Sequence, residues 1–353
     1  MLNRLDENPL LSPEDIPPTR EDMEVMCTLN PAAVRLGGEI LLLVRVGERV
    51  RAVDDDSVAY AHYDAGADVV KIEIIRKDNP HLYTFDPRGF LLDGKMLLTS
   101  ISHLRVARSR DGRNFTFDPT PAIFPATPYE SFGCEDPRIT FIDGRYYITY
   151  TAVSDRGVTV ALAGTEDFVT FERYGIIFPP YQKDVAIFPE KVRGLYVCRH
   201  RPYMSEFNPA AIWTAYSPDL FCWGRHEMTL TTTPGTWEEN RVGCGATPLR
   251  TDEGWLEIYH ACDGNGHYAL GAMLSDLDRP ERVISRSRHP VLLPETEYEI
   301  TGVFANCIFS NGLIVDDDGT MTVYYGAADR VCAAARTTVA EMIAAARNDE
   351  SGL

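Results

Sequence analysis

Apolar and polar residues alternate along most of the chain in short runs that end at glycine or Asp-Gly. "GRYYITYTAV", "GKMLLTSIS", "GWLEIYHAC" and "GTMTVYYGA" each read as a strand entered from a tight turn, because strands repeat every two residues and Asp-Gly suits hairpin turns. One layout recurs six times. A strand with polar residues at its entrance is followed by a turn, a second alternating strand and then a third. The entrances are "LNPAAVRLGGEILLLVRV" (29–46), "FDPRGFLLDGKMLLTSI" (85–101), "EDPRITFIDGRYYITYT" (135–151), "FPEKVRGLYVCRHRP" (188–202), "GATPLRTDEGWLEIYHA" (245–261) and "FSNGLIVDDDGTMTVYYGAAD" (309–329). Third strands are read at "SVAYAHYD", "HLRVARSRDG", "GVTVALAGT", "AIWTAYSPD" and "YALGAMLSD". Repetition of such units predicts an all-β fold, a β-propeller, over residues 25–336. An irregular Pro- and Glu-rich segment (1–24) precedes it. A helix and tail (337–353) follow, with threonines to cap "TTVAEMIAAARN" and alanines to fill it.

In a propeller the entrance of each innermost strand faces the central funnel. That geometry gathers Asn30, Asp86, Glu135, Asp136, Glu190, Lys191 and Asn306 at one axial site. Asp-Pro and Asn-Pro also cap ordinary turns. Glu135-Asp136 followed by Pro137 and Arg138 is more charge than a turn needs.

Net charge is −18, which excludes a nucleic-acid partner, since phosphate backbones need a basic field. Against that background the cations of "QKDVAIFPEKVRGLYVCRHRP" stand out: Lys183, Lys191, Arg199, His200 and Arg201, joined by Arg241 and His260. Arg199 fits a solvated strand face. The eight cysteines show no C-x-x-C spacing, so no metal site is expected. No apolar leader or run of 18 apolar residues occurs. A cytoplasmic protein with reduced thiols is expected, with no membrane partner; a homo-oligomer is compatible with this reading.

Carboxylates with aromatic residues in a funnel suit glycoside chemistry, which needs an acid on the leaving oxygen and a nucleophile at the anomeric carbon. The nucleophile can be a carboxylate, an activated water or an external anion. An anion calls for cationic donors to hold it.

The motifs "GCEDPRIT", "KDVAIFPEKVRGLYVCRHRP", "GATPLRTDEGWLEIYH" and "VYYGAAD" together resemble glycoside hydrolase family 130, the inverting β-mannoside phosphorylases with some β-mannosidases. The resemblance runs from about Asn30 to Asp329. It implies a five-bladed propeller and Asp136 as the acid, acting through the 3-hydroxyl of the mannose. It also implies inorganic phosphate as co-substrate and no cofactor, with phosphate held by Lys183, Arg201, Arg241 and His260. Asn30, Arg45 and Asp329 match sugar-binding positions, and Asp86, Glu135 and Arg138 join them as substrate-binding candidates. The unit at 85–125 is one more than five blades require, and it is similar to the subgroup acting on β-1,2-linked mannosides. A phosphorylase of β-1,2-mannobiose or short β-1,2-mannooligosaccharides, giving α-mannose 1-phosphate, is the leading expectation. A β-mannosidase with Glu238 or Glu239 as base, and a non-catalytic sugar-binding propeller, are the alternatives.

Overall fold

The computed structural model describes residues 2–51, 53–203, 207 and 210–348. Five antiparallel blades surround one axis. The first is Met23–Leu36, Glu39–Val50, Ser100–Ser109 and Thr116–Phe117. The second is Gly133–Ile142, Arg145–Ser154, Gly157–Thr165 and Glu172–Phe178. The third is Gln182–Ile187, Tyr196–Pro202, Ile212–Ser217 and Gly224–Leu230. The fourth is built on Arg241–Cys244, Gly254–Cys262, Tyr268–Ser275 and Val283–Arg286. The fifth is Ile308–Val315, Thr320–Ala327 and Val331–Thr338. The N-terminal segment, expected to be irregular, supplies the fifth blade's outer strand: Asn3 pairs with Arg336 and Arg4 with Ala335, so the two ends of the chain close the ring.

Six expected units become five blades because the 85–98 stretch is not a blade. Residues 51–99 are an insertion between the second and third strands of the first blade, with one hairpin (Ser57–Asp64 and Val69–Arg76) and one three-stranded sheet (Leu82–Asp86, Gly89–Leu92 and Lys95–Leu98). "SVAYAHYD" therefore lies in the insertion, and the first blade's third strand is Ser100–Ser109, paired along its length with 40–49. The insertion copies the Asp-Gly hairpin chemistry of a blade, and hairpin chemistry is all that local sequence reports.

The core is divided among the blade interfaces. On the strand Glu39–Val50, Leu41 and Leu43 pack with Ile139, Ile148 and Tyr150 of the second blade. Leu42 and Val44 face the other way, to Ile314, Tyr324 and Ala334 of the fifth. A strand buried on both faces reads as a continuous apolar run, as "EILLLVRV" nearly does. Gly133 (φ +123°) brings the second blade's inner strand against the first blade, where an added Cβ would stand 2.3 Å from the Ser102 carbonyl oxygen. The C-terminal helix Val339–Arg347 buries Met342 and Ala346 in the core shared by the fourth and fifth blades. Thr338 Oγ1 accepts from Glu341 N–H at its start, and Asn348 (φ 60°) ends it.

Candidate active site

Three innermost strands carry the same irregularity. Their pairing slips between Leu29 and Ala32, between Glu135 and Arg138, and between Lys183 and Ala186. At each slip one residue takes the left-handed conformation: Asn30 (φ 48°), Asp136 (φ 50°) and Asp184 (φ 54°). Asn and Asp tolerate that region better than other non-glycine residues, and the bulge re-aims a side chain that the pleat would otherwise send into a blade interface. Three blades thus turn a short polar side chain to the axis. Asp184 went unrecognised in the sequence because no proline follows it, although "KDV" holds the place of "EDP" and "LNP".

Asn30 and Asp136 meet despite the insertion. Asn30 Nδ2 donates to Asp136 Oδ1 at 2.8 Å. Gly326 makes this fit, since a Cβ there would lie 2.2 Å from Asn30 Oδ1. Arg45 Nη1 reaches the same Asp136 oxygen at 3.2 Å and its Nη2 donates to Glu135 Oε1 at 2.8 Å. Lys183 Nζ stands 3.9 Å from Glu135 Oε2. Burial alone pushes the Asp136 carboxyl up; the charges of Arg45 and Lys183, the Asn30 hydrogen bond and the charge of Arg138 outweigh it and hold the group below the ordinary aspartate value. Asp329 behaves oppositely. Burial and the charges of Asp136 and Glu135 push it up to about 6 against the opposing pull of Arg45 and Arg88.

A second cluster centres on Asp184. Its Oδ2 accepts from Arg201 Nε at 2.6 Å and its Oδ1 from Arg138 Nη2 at 3.2 Å. His260 Nε2 lies 3.4 Å from Oδ2, outside hydrogen-bond geometry. Burial pushes the Asp184 carboxyl up, but the charges of Arg201 and Arg138 outweigh it and hold the group well below the usual carboxylate range. Burial lowers His260, against the pull of Asp184.

These groups border one cavity of about 1190 Å³ on the propeller axis. Asn30, Arg45, Asp86, Glu135, Asp136, Lys183, Arg201 and Asp329 line it. Arg241 and His260 stand one layer back: Arg241 lies 5.7 Å from the centroid of Tyr268, and His260 packs on Phe309 with centroids 4.0 Å apart, both rings being part of the wall. The insertion completes one side with Phe85, Asp86, Arg88 and Met96. Asp86 is gripped there by Arg88, whose Nε and Nη2 donate at 2.9 and 2.7 Å, and Arg88 lies over Phe304 at 4.8 Å.

Several expectations are corrected. Arg138 does not face the cavity: it is 1% exposed and its donors go to Asp184 and to the carbonyls of Asp136, Cys244 and Gly245. It is a strut under the site. Glu190 and Lys191 fall in the turn after the third blade's inner strand, Glu190 paired with Arg250 at 2.8 Å and Lys191 over Tyr196. The sequence pattern places this entrance one strand too late, since the inner strand is Gln182–Ile187. Asn306 contributes its backbone to Tyr268 and Ile300. Arg199, expected on a solvated face, is fully buried with Glu257. Glu238 is buried against Arg286 and Tyr259, and Glu239 is exposed; neither lines the cavity.

The profile of a family described as beta-1,4-mannooligosaccharide phosphorylase matches residues 89–348. A beta-1,2-mannobiose phosphorylase of Listeria innocua serovar 6a is 39% identical over 344 residues, 96% of this chain and 97% of the relative. A 1,2-beta-oligomannan phosphorylase of a Thermoanaerobacter species is 44% identical over 234 residues, 65% of this chain and 77% of the relative. The solved structure of the Listeria innocua beta-1,2-mannobiose phosphorylase in complex with beta-1,2-mannobiose superposes with a TM-score of 0.95, at 38% identity and 99% coverage of both chains. The five blades, the Glu-Asp-Pro-Arg motif at the axis and these matches place the chain in glycoside hydrolase family 130.

Proposed function

We propose that this protein is an inverting β-mannoside phosphorylase that cleaves β-1,2-mannobiose or short β-1,2-mannooligosaccharides with inorganic phosphate, releasing α-mannose 1-phosphate. The observation that carries the reading is that one cavity holds both a buried carboxylate, Asp136, and the cations Lys183 and Arg201. The names of the relatives support the substrate class. Phosphate is a dianion near neutral pH and needs charge-assisted donors more than a base. Lys183 and Arg201 supply them at the wall, and Arg241 and His260 reinforce that end from behind. Asp184 holds the Nε of Arg201, and among the described residues no hydrogen bond engages its Nη1 or Nη2, which can face the anion.

Asp136 is held below the ordinary aspartate value and is ionised at neutral pH. Phosphate beside Lys183 offsets part of the cationic field that depresses it, so binding the nucleophile raises the acid. The proton then passes to the leaving oxygen through the 3-hydroxyl of the bound mannose, while phosphate attacks the opposite face of the anomeric carbon. Asn30 and Arg45 fix the Asp136 carboxylate throughout. The β-mannosidase reading needs a water-activating carboxylate, and Glu238 is instead committed to Arg286 and Tyr259. The test is the anomer formed: nuclear magnetic resonance of a β-1,2-mannobiose digest in phosphate is expected to show α-mannose 1-phosphate and mannose. β-Mannose 1-phosphate, or mannose alone, contradicts the proposal.

A further inference from the structure

The third blade carries a polar chain that the reaction above does not use. Gln182 lines the cavity between Tyr181 and Lys183. Its Oε1 lies 2.9 Å from Nδ1 of His200, and His200 Nε2 lies 3.0 Å from Nδ1 of His226. His200 is 2% exposed, stacked on Phe178 with centroids 4.9 Å apart and flanked by Trp213. Burial, with the neighbouring His226, lowers its pKa to about 3, so it is neutral. A neutral imidazole has one donor and one acceptor. The Gln182 carbonyl oxygen can only accept, so His200 Nδ1–H donates to it. His200 Nε2 then accepts from His226 Nδ1–H. The amide nitrogen of Gln182 is left turned away from His200 with both N–H groups unspent among the described residues.

Where those donors point follows from strand alternation. On Tyr196–Pro202, Arg199 and Arg201 lean toward the fourth blade, to Glu257 and to the Asp184–His260 cluster. His200 leans the other way, onto Phe178 of the second blade. Gln182, tied to His200, sits on that second side beside Tyr181, which is 57% exposed and has its ring 5.7 Å from that of Tyr203. In an inverting displacement nucleophile and leaving group occupy opposite sides of the anomeric carbon. With the anion at the Arg201 end, the leaving sugar comes to the Gln182 end, where an amide donor beside an aromatic face suits a pyranose.

We propose that Gln182 is a specificity-determining hydrogen-bond donor to the leaving sugar, and that His200 and His226 are positioning residues that keep its amide N–H groups turned to the cavity. The inference rests on the phosphorolytic reading and deepens it. The test runs the reaction in the synthetic direction, from mannose 1-phosphate and mannose. Loss of one neutral hydrogen bond corresponds to about a 3- to 10-fold change. Gln182→Ala is expected to raise KM for mannose by that amount with KM for mannose 1-phosphate unchanged, and Gln182→Glu, which offers the sugar an acceptor, to be as damaging. His200→Phe, which keeps the aromatic packing, should give the same KM split. An unchanged KM for mannose in Gln182→Ala, or an equal rise for both substrates, overturns the proposal. Should the unmutated protein show no phosphorolysis, the functional reading falls by itself. Calorimetry then decides this one: Gln182→Ala must weaken β-1,2-mannobiose binding and leave mannose 1-phosphate binding unchanged, and equal binding of the disaccharide by both proteins overturns it.

Discussion

Asp136 and Asp184 occupy equivalent bulges and do different work. Asp136 is reached by solvent through the cavity and touches Asn30 and Arg45. Asp136→Asn keeps the shape and the Asn30 contact but removes the proton, so the rate of phosphorolysis should fall by about 10²- to 10⁴-fold with an unchanged far-ultraviolet dichroism spectrum. Near-normal turnover removes Asp136 from the acid role. Asp184, 1% exposed at the cavity wall, is held between Arg138, Arg201 and His260. Asp184→Ala leaves two buried guanidinium groups without their carboxylate and should cost about 3–5 kcal/mol of stability, read from urea unfolding; a loss confined to phosphate KM would instead make it a ligand-binding residue. Asp329 gives a pH signature. Its folded pKa, about 6, lies above the ordinary aspartate value of 3.8. Between these values the folded protein keeps a proton that the unfolded chain releases, so its contribution to stability declines as pH rises through that window and is level above it. The depressed carboxyls Asp136 and Asp184 slope the other way, losing their contribution as pH falls. Comparing melting temperatures of the protein and of Asp329→Asn isolates the Asp329 part: the variant should lack the decline. Parallel curves contradict the shift.

At the scale of elements, hairpin chemistry was legible and blade membership was not. Alternation and Asp-Gly turns located the strand pairs at 133–154, 254–275 and 308–327, because both signals are local. The Asp-Pro-Arg of residues 86–88 duplicates that of 136–138, yet Asp86 binds its own Arg88 whereas Asp136 turns to Asn30 and Arg45. That difference depends on partners 91 and 106 residues away along the chain and leaves no local trace. Asp184 escaped because no proline follows it to mark the bulge, while Arg201 and Lys183, placed by motif, do line the cavity. The insertion makes a direct prediction. Arg49 pairs with Ser100, so its ends are adjacent. Replacing 52–98 by a short Asn-Gly turn should leave a folded propeller, since the insert packs on the first blade through a small cluster centred on Met23, Ala61, Tyr63 and Ile101. The cavity loses Phe85, Asp86 and Arg88, so KM for β-1,2-mannobiose should rise steeply. Unchanged kinetics in a folded deletion variant contradict a substrate-contacting role for the insert.

For the whole molecule, closure and chemistry converge on the fifth blade. The chain's first strand pairs with its last, and Arg4 binds Glu299 at 2.8 Å inside that seam. Ring closure keeps the five entrances at fixed distances, and the site consists of side chains from all five blades or the layer behind them. Removing residues 1–8 should therefore lower the melting temperature and impair catalysis together; an active, equally stable truncated protein argues against closure as the constraint. The central claim is that an external anion, held at Lys183 and Arg201, is the nucleophile. The most direct measurement is the initial rate of β-1,2-mannobiose cleavage against phosphate concentration in the unmutated protein. The account predicts a rate that starts near zero, rises with phosphate and saturates, with one mannose 1-phosphate formed per bond broken. A rate independent of phosphate, with free mannose as sole product, contradicts it.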